Sequence, residues 1–272
     1  MLATALLCAV LCYAGAAALA ATPFARPVGP PVRGVVFALL AGVLLHALAL
    51  ALGTQAAGQL PVAGLGPALS FAGLTLAATL LAVEALARDV SLTLVAAPLA
   101  AIATAVAAAL ASRDLVVASP LPEGARGAWL AAHITLSFLG IAAFGTTAAA
   151  GAMYLVERRE LKSRRFGPVF RAFPPLDTLD RLNHVGAIAA WITLSAGVAL
   201  AVGYSMRYGA TDMPQMVWGV GAWLASTALA LGRLLGRWQA RRAAVVASVA
   251  FALVLASYVA ARVLAARQGQ FL

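Results

Sequence analysis

The stretch AWLAAHITLSFLGIAAFGTTAAAGAMYLV, residues 128–156, decides the fold class, because it contains no Asp, Glu, Lys or Arg from end to end. A helix that crosses a hydrocarbon core of about 30 Å needs about 20 apolar residues. Similar stretches recur along the whole chain, in which 63% of residues are hydrophobic and only 10% are charged. Soluble domains carry about 25% charged residues. The sequence therefore predicts a membrane protein.

Eight such stretches, separated by short polar breaks, predict an all-α polytopic membrane bundle of about eight transmembrane helices. We divide it into two four-helix parts, residues 1–127 and 128–272, within one integral membrane domain, with a basic loop at residues 157–182. The first span lacks the basic start of a secretory signal, so we expect it to remain as a helix. The predicted spans are Met1–Thr22, Gly34–Gly53, Gly66–Leu86, Val90–Ala111, Ala128–Val156, Asn183–Met206, Pro214–Leu234 and Ala243–Ala266.

The basic residues predict the orientation. The chain has 19 Lys and Arg residues against 9 Asp and Glu residues. If the N-terminus is outside, fourteen of those 19 fall in inner loops and five in outer loops, and such a bias is typical of cytoplasmic loops. We therefore expect a multi-pass protein of the bacterial inner membrane with both termini on the outer, periplasmic side. The excess of basic residues is explained by the orientation of the protein in the membrane, so we expect no nucleic-acid partner.

One polar segment stands out, ERRELKSRRFGPVFRAFPPLDTLDR, Glu157–Arg181. We expect a long loop along the cytoplasmic surface. It can anchor the protein against anionic lipid headgroups or dock a cytoplasmic partner, and the sequence leaves both open. Near its end, PPLDTLDRLNHVG predicts the start of the sixth helix, where Asp177 or Thr178 would cap the new amide groups.

Ionisable residues are almost absent from the predicted spans. Proton- or ion-coupled transport relies on charge within the membrane, so this absence disfavours a permease. Cys8 and Cys12 lie one helical turn apart, and no CxxC or CxxCH motif occurs, so we expect packing residues and not a c-type cytochrome.

Three histidines remain as candidates for chemistry. His46 lies within the second span among small residues, His133 lies near the outer mouth of the fifth, and His184 lies at the cytoplasmic edge of the sixth, where it needs no special role. The ordinary role of a membrane histidine is a hydrogen bond to a neighbouring helix, but neutral imidazole is also a usual ligand of haem iron. We favour ligation for His133 and leave both roles open for His46.

The segment DMPQMVWGVGAW, Asp212–Trp223, places two tryptophans five residues apart near the outer boundary. Anchoring in the aromatic belt explains Trp218. Trp223 lies more than a turn deeper, where an indole can line the edge of a flat porphyrin. The two side chains project about 140° apart around a helix. We therefore expect Trp223 to face inward and Trp218 to face the interface.

The chain from about Trp129 onward resembles the cytochrome c assembly proteins of the CcsA/CcmC type, and most closely their eight-helix branch called HemX-like or YpjD-like. The resemblance rests on HITLSFLGIAAF, on the basic loop with the helix after it, on GRWQARRAA and on DMPQMVWGVGAW. The last is similar to the second half of the family's WWD segment, in which an aspartate, here Asp212, precedes two tryptophans. The first half is reduced here to YSMRYGAT.

The resemblance implies a membrane protein that handles non-covalently bound b-type haem at its outer face, with no catalytic activity on its own. It implies His133 and His46 as ligands of the haem iron, with Trp223, Trp218 and Asp212 around the cofactor. The implied partners are membrane lipid and other cytochrome c assembly proteins. A HemX-like regulator or scaffold is the alternative, which would act on a cytoplasmic haem-biosynthesis enzyme through the basic loop without ligating haem.

Overall fold

The structure is a computed structural model that describes residues 2–26, 28–58, 60, 65–87, 89–111, 122, 124–164, 167–209 and 213–267. Every regular element within these residues is a helix, which confirms the all-α prediction. The helices are α1 (Leu2–Ala20), α2 (Thr22–Ala25), α3 (Val32–Ala57), α4 (Leu65–Ala87), α5 (Thr93–Ala111), α6 (Ala125–Ser163), α7 (Pro168–Ala172), α8 (Leu176–Tyr208), α9 (Met213–Leu234) and α10 (Ala240–Arg267).

Eight of the helices in the described residues are long and apolar enough to cross a membrane. They coincide with the eight predicted spans, and many of their large apolar side chains, such as Leu11, Phe37 and Leu253, are exposed on the outside of the bundle. Burial of these side chains in lipid removes the cost of exposing them to water. The protein is therefore a multi-pass membrane protein.

The predicted loop at residues 157–182 is wrong in its extent, because most of it is helical. Helix α6 is 39 residues long and runs on to Ser163, and the short α7 lies inside the remainder. Residues 157–162 consist of Glu, Arg, Leu and Lys, which are all good helix formers, and all of them except Leu161 are charged. The helix ends at Arg164, which adopts a left-handed conformation and donates its amide to the carbonyls of Glu160 and Leu161.

The start of the sixth membrane helix also differs from the prediction. Helix α8 begins at Leu176 rather than at Asn183, and the residue before it, Pro175, makes no side-chain cap. The predicted capping role of Asp177 or Thr178 is therefore wrong, since both lie inside the helix. Asp177 lies in its first turn, where a carboxylate still stabilises the positive end of the helix dipole.

Two large clusters of buried side chains hold the bundle together, beside a small one of Leu6, Ala49 and Ala108. The first joins α1, α3, α4 and α5 to α6 and α8 and is rich in alanine, with Tyr13, Leu39 and Leu179 as its largest members. The second joins α6, α8, α9 and α10 around Phe144 and Leu229. Helices α6 and α8 take part in both and share the longest interface in the bundle.

The bundle has two ends, which we name by their residues. The histidine end contains His133, Gly197 and Trp218, and the arginine end contains Arg164 and Arg233. Eight helices among the described residues are long enough to run from one end to the other. That both termini share one side of the membrane, and that this side is the periplasmic one, is still a prediction.

Candidate functional site

His133 lies on α6, one helical turn after Trp129, and its side chain is half-buried against α8. Its Nδ1 lies 2.8 Å from the carbonyl oxygen of Gly197. A Cβ on Gly197 would lie 3.0 Å from Oγ of Ser137, so the absence of a side chain there lets the two helices approach closely. Close approach of small residues is a common way for membrane helices to pack.

This hydrogen bond determines which ring nitrogen of His133 carries the proton. A carbonyl oxygen only accepts, so Nδ1 must donate, and in the neutral ring the lone pair is then on Nε2. Among the described residues, Nε2 of His133 has no hydrogen-bond partner. Histidines that bind metals usually donate their other N–H to a carbonyl or carboxylate in this way. The arrangement is suited to ligation through Nε2.

Trp129 strengthens the contact between α6 and α8 at the same end. Its Nε1 donates to the carbonyl oxygen of Leu200 at 3.0 Å, and a Cβ on Gly203 would lie only 2.8 Å from its ring. Trp129 and His133 are four residues apart and face the same neighbour. The two side chains together attach this face of α6 to successive turns of α8.

Trp129 belongs to a group of aromatic and basic side chains that the sequence alone did not indicate. The Nε of Arg126 donates to the hydroxyl of Tyr204 at 2.8 Å, and its guanidinium lies 5.0 Å from the centre of the Tyr208 ring. The guanidinium of Arg207 lies 5.9 Å from the same centre. We call Arg126, Trp129, Tyr204, Arg207 and Tyr208 the tyrosine cluster.

Three members of the tyrosine cluster, Tyr204, Arg207 and Tyr208, lie in the segment that resembles a reduced WWD motif. Tyr204 and Tyr208 are four residues apart on α8, with their ring centroids 4.9 Å apart, and the ring of Trp129 meets Tyr208 edge-on at 6.3 Å. Residues four apart are neighbours on the surface of a helix, so the spacing of Tyr204 and Tyr208 in the sequence could have predicted their contact. The segment therefore retains an aromatic surface, made of tyrosines and a tryptophan from α6.

His46 has a different environment from His133. It is fully buried, its Nδ1 lies 3.3 Å from the Tyr13 hydroxyl, and its Nε2 lies 2.9 Å from Oγ of Ser70. Both ring nitrogens are therefore engaged, and no lone pair of His46 is free in this conformation. The interaction joins α1, α3 and α4.

His46 and His133 do not contact each other directly among the described residues, and their joint ligation of haem stays a prediction. No hydrogen bond or ring contact joins the two imidazoles in the described part of the chain. Between the two regions, the ring of Phe71 packs edge-to-face against the ring of Phe138, with centroids 5.4 Å apart. Phe71 follows Ser70 on α4, and Phe138 lies on α6, so this contact joins the surroundings of the two histidines.

The two tryptophans of α9 contact different helices. Trp218 donates its Nε1 to the carbonyl oxygen of Val254 on α10 at 3.0 Å and packs against the Tyr258 ring at 5.0 Å. Trp223 donates its Nε1 to Oγ of Ser195 on α8 at 2.9 Å. Each indole thus holds α9 against one neighbour.

Helix α8 separates Trp223 from His133. Their contacts on α8, Ser195 and Gly197, are two residues apart, so they lie about 200° apart around the helix and differ in depth by about 3 Å. The two side chains are therefore at nearly one level, on opposite sides of α8. Asp212, the third residue expected around the cofactor, lies outside the described residues.

His184 lies at the arginine end and is bonded to a charged pair. Its Nδ1 accepts a hydrogen bond from Nε of Arg233 at 3.2 Å, and the same guanidinium forms a 2.8 Å salt bridge to Asp180. The Arg233 side chain is only 8% exposed. A buried arginine needs such partners, so His184 has a structural role between α8 and α9.

These positions allow one test of whether haem fits the chain. No group of three or more metal-binding side chains occurs among the residues that the structure describes, so a bare metal site of that kind is not found there. Haem iron needs only an axial ligand from the protein. The free Nε2 of His133 meets that need beside an aromatic surface, whereas the engaged nitrogens of His46 do not.

The comparisons with known proteins agree with this architecture. The family model described as cytochrome C assembly protein matches residues 35–266. Protein HemX of Brevibacillus brevis is 33% identical over 73 residues, which are 25% of this chain and 27% of that protein. No solved structure matches the chain. Since the family match runs from α3 to α10 and covers most of the sequence, the protein belongs to the cytochrome c assembly family.

Proposed function

We propose that this protein binds b-type haem non-covalently at the histidine end and handles it there for cytochrome c assembly. The observation that carries the proposal is the bond from Nδ1 of His133 to the Gly197 carbonyl. It holds the imidazole in the tautomer whose Nε2 lone pair is available to iron. Membership of the family supports a role with haem, and the finer assignment is ours.

Three features of the chain would hold the cofactor. Nε2 of His133 would bind the iron, and the rings of Trp129 and Tyr208 would line an edge of the porphyrin. Arg126 and Arg207 are exposed at the same end and would bind the propionates, for which guanidinium groups are well suited. Bound haem would supply two things: an iron centre that can bind a ligand, and the two carboxylates of its propionates.

The proposal rests on His133 and does not require His46. Ligation by His46 would need loss of its bond to Tyr13 or to Ser70, inside a fully buried site. In this proposal His133 would be the one side chain of this protein that binds the iron. That arrangement suits a protein that passes haem on to another assembly protein.

The tryptophans of α9 support the site at a distance in this proposal. Trp223 reaches α8 at Ser195 and Trp218 reaches α10 at Val254, so both position the helix that begins next to the cluster. Direct contact of Trp223, Trp218 or Asp212 with the haem stays a prediction.

The test is a comparison of two histidine variants. The unmodified protein, His133→Ala and His184→Ala are purified in detergent, supplied with equal haem and compared by the Soret absorbance per protein. His133→Ala should retain less than about a tenth of the haem, since the loss of a metal ligand costs far more than the loss of a partner around it. His184→Ala should retain it all. Equal haem in His133→Ala and the unmodified protein would reject the proposal.

A HemX-like regulator is the second candidate, and one observation favours it. Helix α6 is 39 residues long, which is about 58 Å, against a hydrocarbon core of about 30 Å. Its basic end therefore extends beyond the lipid as a rigid projection that a cytoplasmic haem-biosynthesis enzyme can bind. Absence of a Soret band in the unmodified protein, together with capture of such an enzyme that requires Arg158 and Arg159, would favour this function over haem binding.

A further inference from the structure

A groove lies at the arginine end, beside the turn from α9 to α10 and far from His133. The turn is closed by backbone bonds from Trp238 to Gly232 at 3.0 Å and from Gly236 to Arg233 at 3.1 Å. The indole of Trp238 lies directly on Gly232, where any Cβ would collide with the ring. Gly236 has φ +64°, which only glycine adopts without strain. The groove therefore has a rigid aromatic floor.

The groove has a volume of about 410 Å³, which lies within the usual range of about 300–1,000 Å³ for small-molecule sites. One wall is apolar and belongs to α9, and the rim at the end of the helices is basic. The lining residues are Ala228, Leu231, Gly232, Leu235, Arg237, Trp238 and Arg242.

The basic rim has free positive charge. The guanidinium of Arg242 lies 5.2 Å from the centre of the Trp238 ring, and Arg237 and Arg242 are both exposed. The sequence has no Asp or Glu between residues 213 and 267, so neither α9, α10 nor their turn neutralises them. Arg233 differs, because Asp180 on α8 pairs with it at 2.8 Å.

The apolar wall faces the surroundings of the bundle. Leu231 is 41% exposed and Leu235 is 65% exposed on the outside of the bundle. The membrane span of α9 extends to Leu234, so Leu231 lies within the span and Leu235 lies directly after it. In the membrane these side chains meet acyl chains, while the arginines, which lie just past the end of the span, meet the headgroup layer. The groove is thus basic at headgroup depth and apolar immediately below it.

We propose that this groove is a specific site for one acidic phospholipid. Arg237 and Arg242 bind the phosphodiester, the indole of Trp238 lies beneath the headgroup, and an acyl chain runs along Ala228 and Leu231. Charge complementarity selects the lipid class, because two guanidinium groups with no acidic partner among the described residues favour a lipid with net negative charge over a zwitterionic one. The apolar wall distinguishes a lipid from free phosphate, which would leave Leu231 and Leu235 without a partner.

The experiment measures lipid adducts by native mass spectrometry of the detergent-purified full chain. Phosphatidylglycerol, phosphatidylcholine and glycerol phosphate are titrated against the unmodified protein, the double variant Arg237→Gln with Arg242→Gln, and a matched control, Arg159→Gln with Lys162→Gln. The control removes the same charge from exposed positions on α6 at the same end of the bundle. A further variant, Arg237→Lys with Arg242→Lys, keeps the charge.

The proposal expects one tight phosphatidylglycerol adduct per chain. The groove double variant should weaken it on the order of 30-fold, since each basic residue near an anionic headgroup contributes a factor of about five. The α6 control should retain the affinity, and the lysine variant should stay closer to the unmodified protein than the glutamine variant.

Three results would overturn the proposal. Phosphatidylcholine that binds as tightly as phosphatidylglycerol would remove the role of charge, and glycerol phosphate that binds as tightly would remove the role of the apolar wall. An equal loss of affinity in the groove variant and the α6 control would show general attraction to a basic surface. Because the groove lies at the opposite end from His133, none of these results depends on haem binding.

Discussion

The region around His46 and the region around His133 use the same side chain in two ways. His46 is fully buried between α1, α3 and α4, and each of its ring nitrogens has a side-chain partner. His133 is half-buried between α6 and α8 and has one partner, a backbone carbonyl. A histidine with both nitrogens engaged stabilises the fold, whereas a histidine with one nitrogen held and the other free is prepared to bind a ligand.

The largest expected difference between the two regions is in stability. His46→Ala leaves a cavity and removes the partner of the Tyr13 and Ser70 hydroxyls, at a cost of about 3 kcal/mol in the free energy of unfolding. The melting temperature of the haem-free protein should fall by about 5–10 °C. His133→Ala should cost only about 1 kcal/mol, because it removes one hydrogen bond from a half-buried site. Thermal unfolding in detergent, followed by tryptophan fluorescence, measures both, and a larger fall in His133→Ala would contradict the comparison.

A smaller effect is expected at Trp129, which orients the same face of α6. Trp129→Phe keeps the ring but removes the donor to Leu200, so haem affinity should fall about fivefold, the equivalent of a hydrogen bond of about 1 kcal/mol. The control is Trp191→Phe, since no hydrogen bond of the Trp191 indole is found among the described residues. Haem titration followed at the Soret band measures both affinities. An equal change in the two variants would remove Trp129 from the site.

The contact between Tyr204 and Arg126 should contribute less to haem affinity than Trp129. Tyr204→Phe removes the acceptor for Arg126, an exposed contact, and we expect haem affinity to fall about twofold, because exposed pairs contribute about 0.5 kcal/mol. Tyr154→Phe, at the arginine end of α6, is the matched control and should show no change. The same haem titration applies, and a Tyr204→Phe affinity equal to that of the unmodified protein would place Tyr204 and its contact with Arg126 outside the site.

No effect on haem is expected from the basic end of α6. We predict that neutralising Arg158, Arg159, Arg164 and Arg165 together leaves the Soret absorbance unchanged, because the first three belong to the end of the bundle opposite His133 and Arg165 follows them directly in the sequence. Membrane insertion and orientation are measured in the same samples by accessibility of an introduced cysteine. Loss of haem with unchanged orientation would contradict a site at the histidine end.

Hydropathy was sufficient to predict the fold class and the number of membrane helices, because each span needs only length and apolar composition. The lengths of α6 and α8 were not predicted correctly. The polar residues 157–163 read as a loop by hydropathy, yet their side chains favour a helix that extends into water. Hydropathy reports where lipid ends, and a helix does not have to end at the same residue.

The sequence predicted which residues belong to the candidate site, but it did not predict most of the contacts that these residues make. Sequence reasoning pointed to His133, but its partner is a backbone carbonyl on another helix, 64 positions along the chain, and no local pattern encodes such a contact. The same holds for Tyr13 and Ser70 around His46. The contact between Tyr204 and Tyr208 could have been predicted from their four-residue spacing. It was not predicted, because their segment was interpreted only as a reduced WWD motif.

The central claim is that Nε2 of His133 is an axial ligand of haem while His46 is not. The most direct measurement is the midpoint potential of the bound haem in His133→Met and in His46→Met, obtained by redox titration followed at the haem absorbance bands. A thioether ligand raises the potential of haem relative to imidazole. The account predicts a raised potential or loss of haem in His133→Met, and an unchanged potential in His46→Met. Full haem content with an unchanged potential in His133→Met would contradict it.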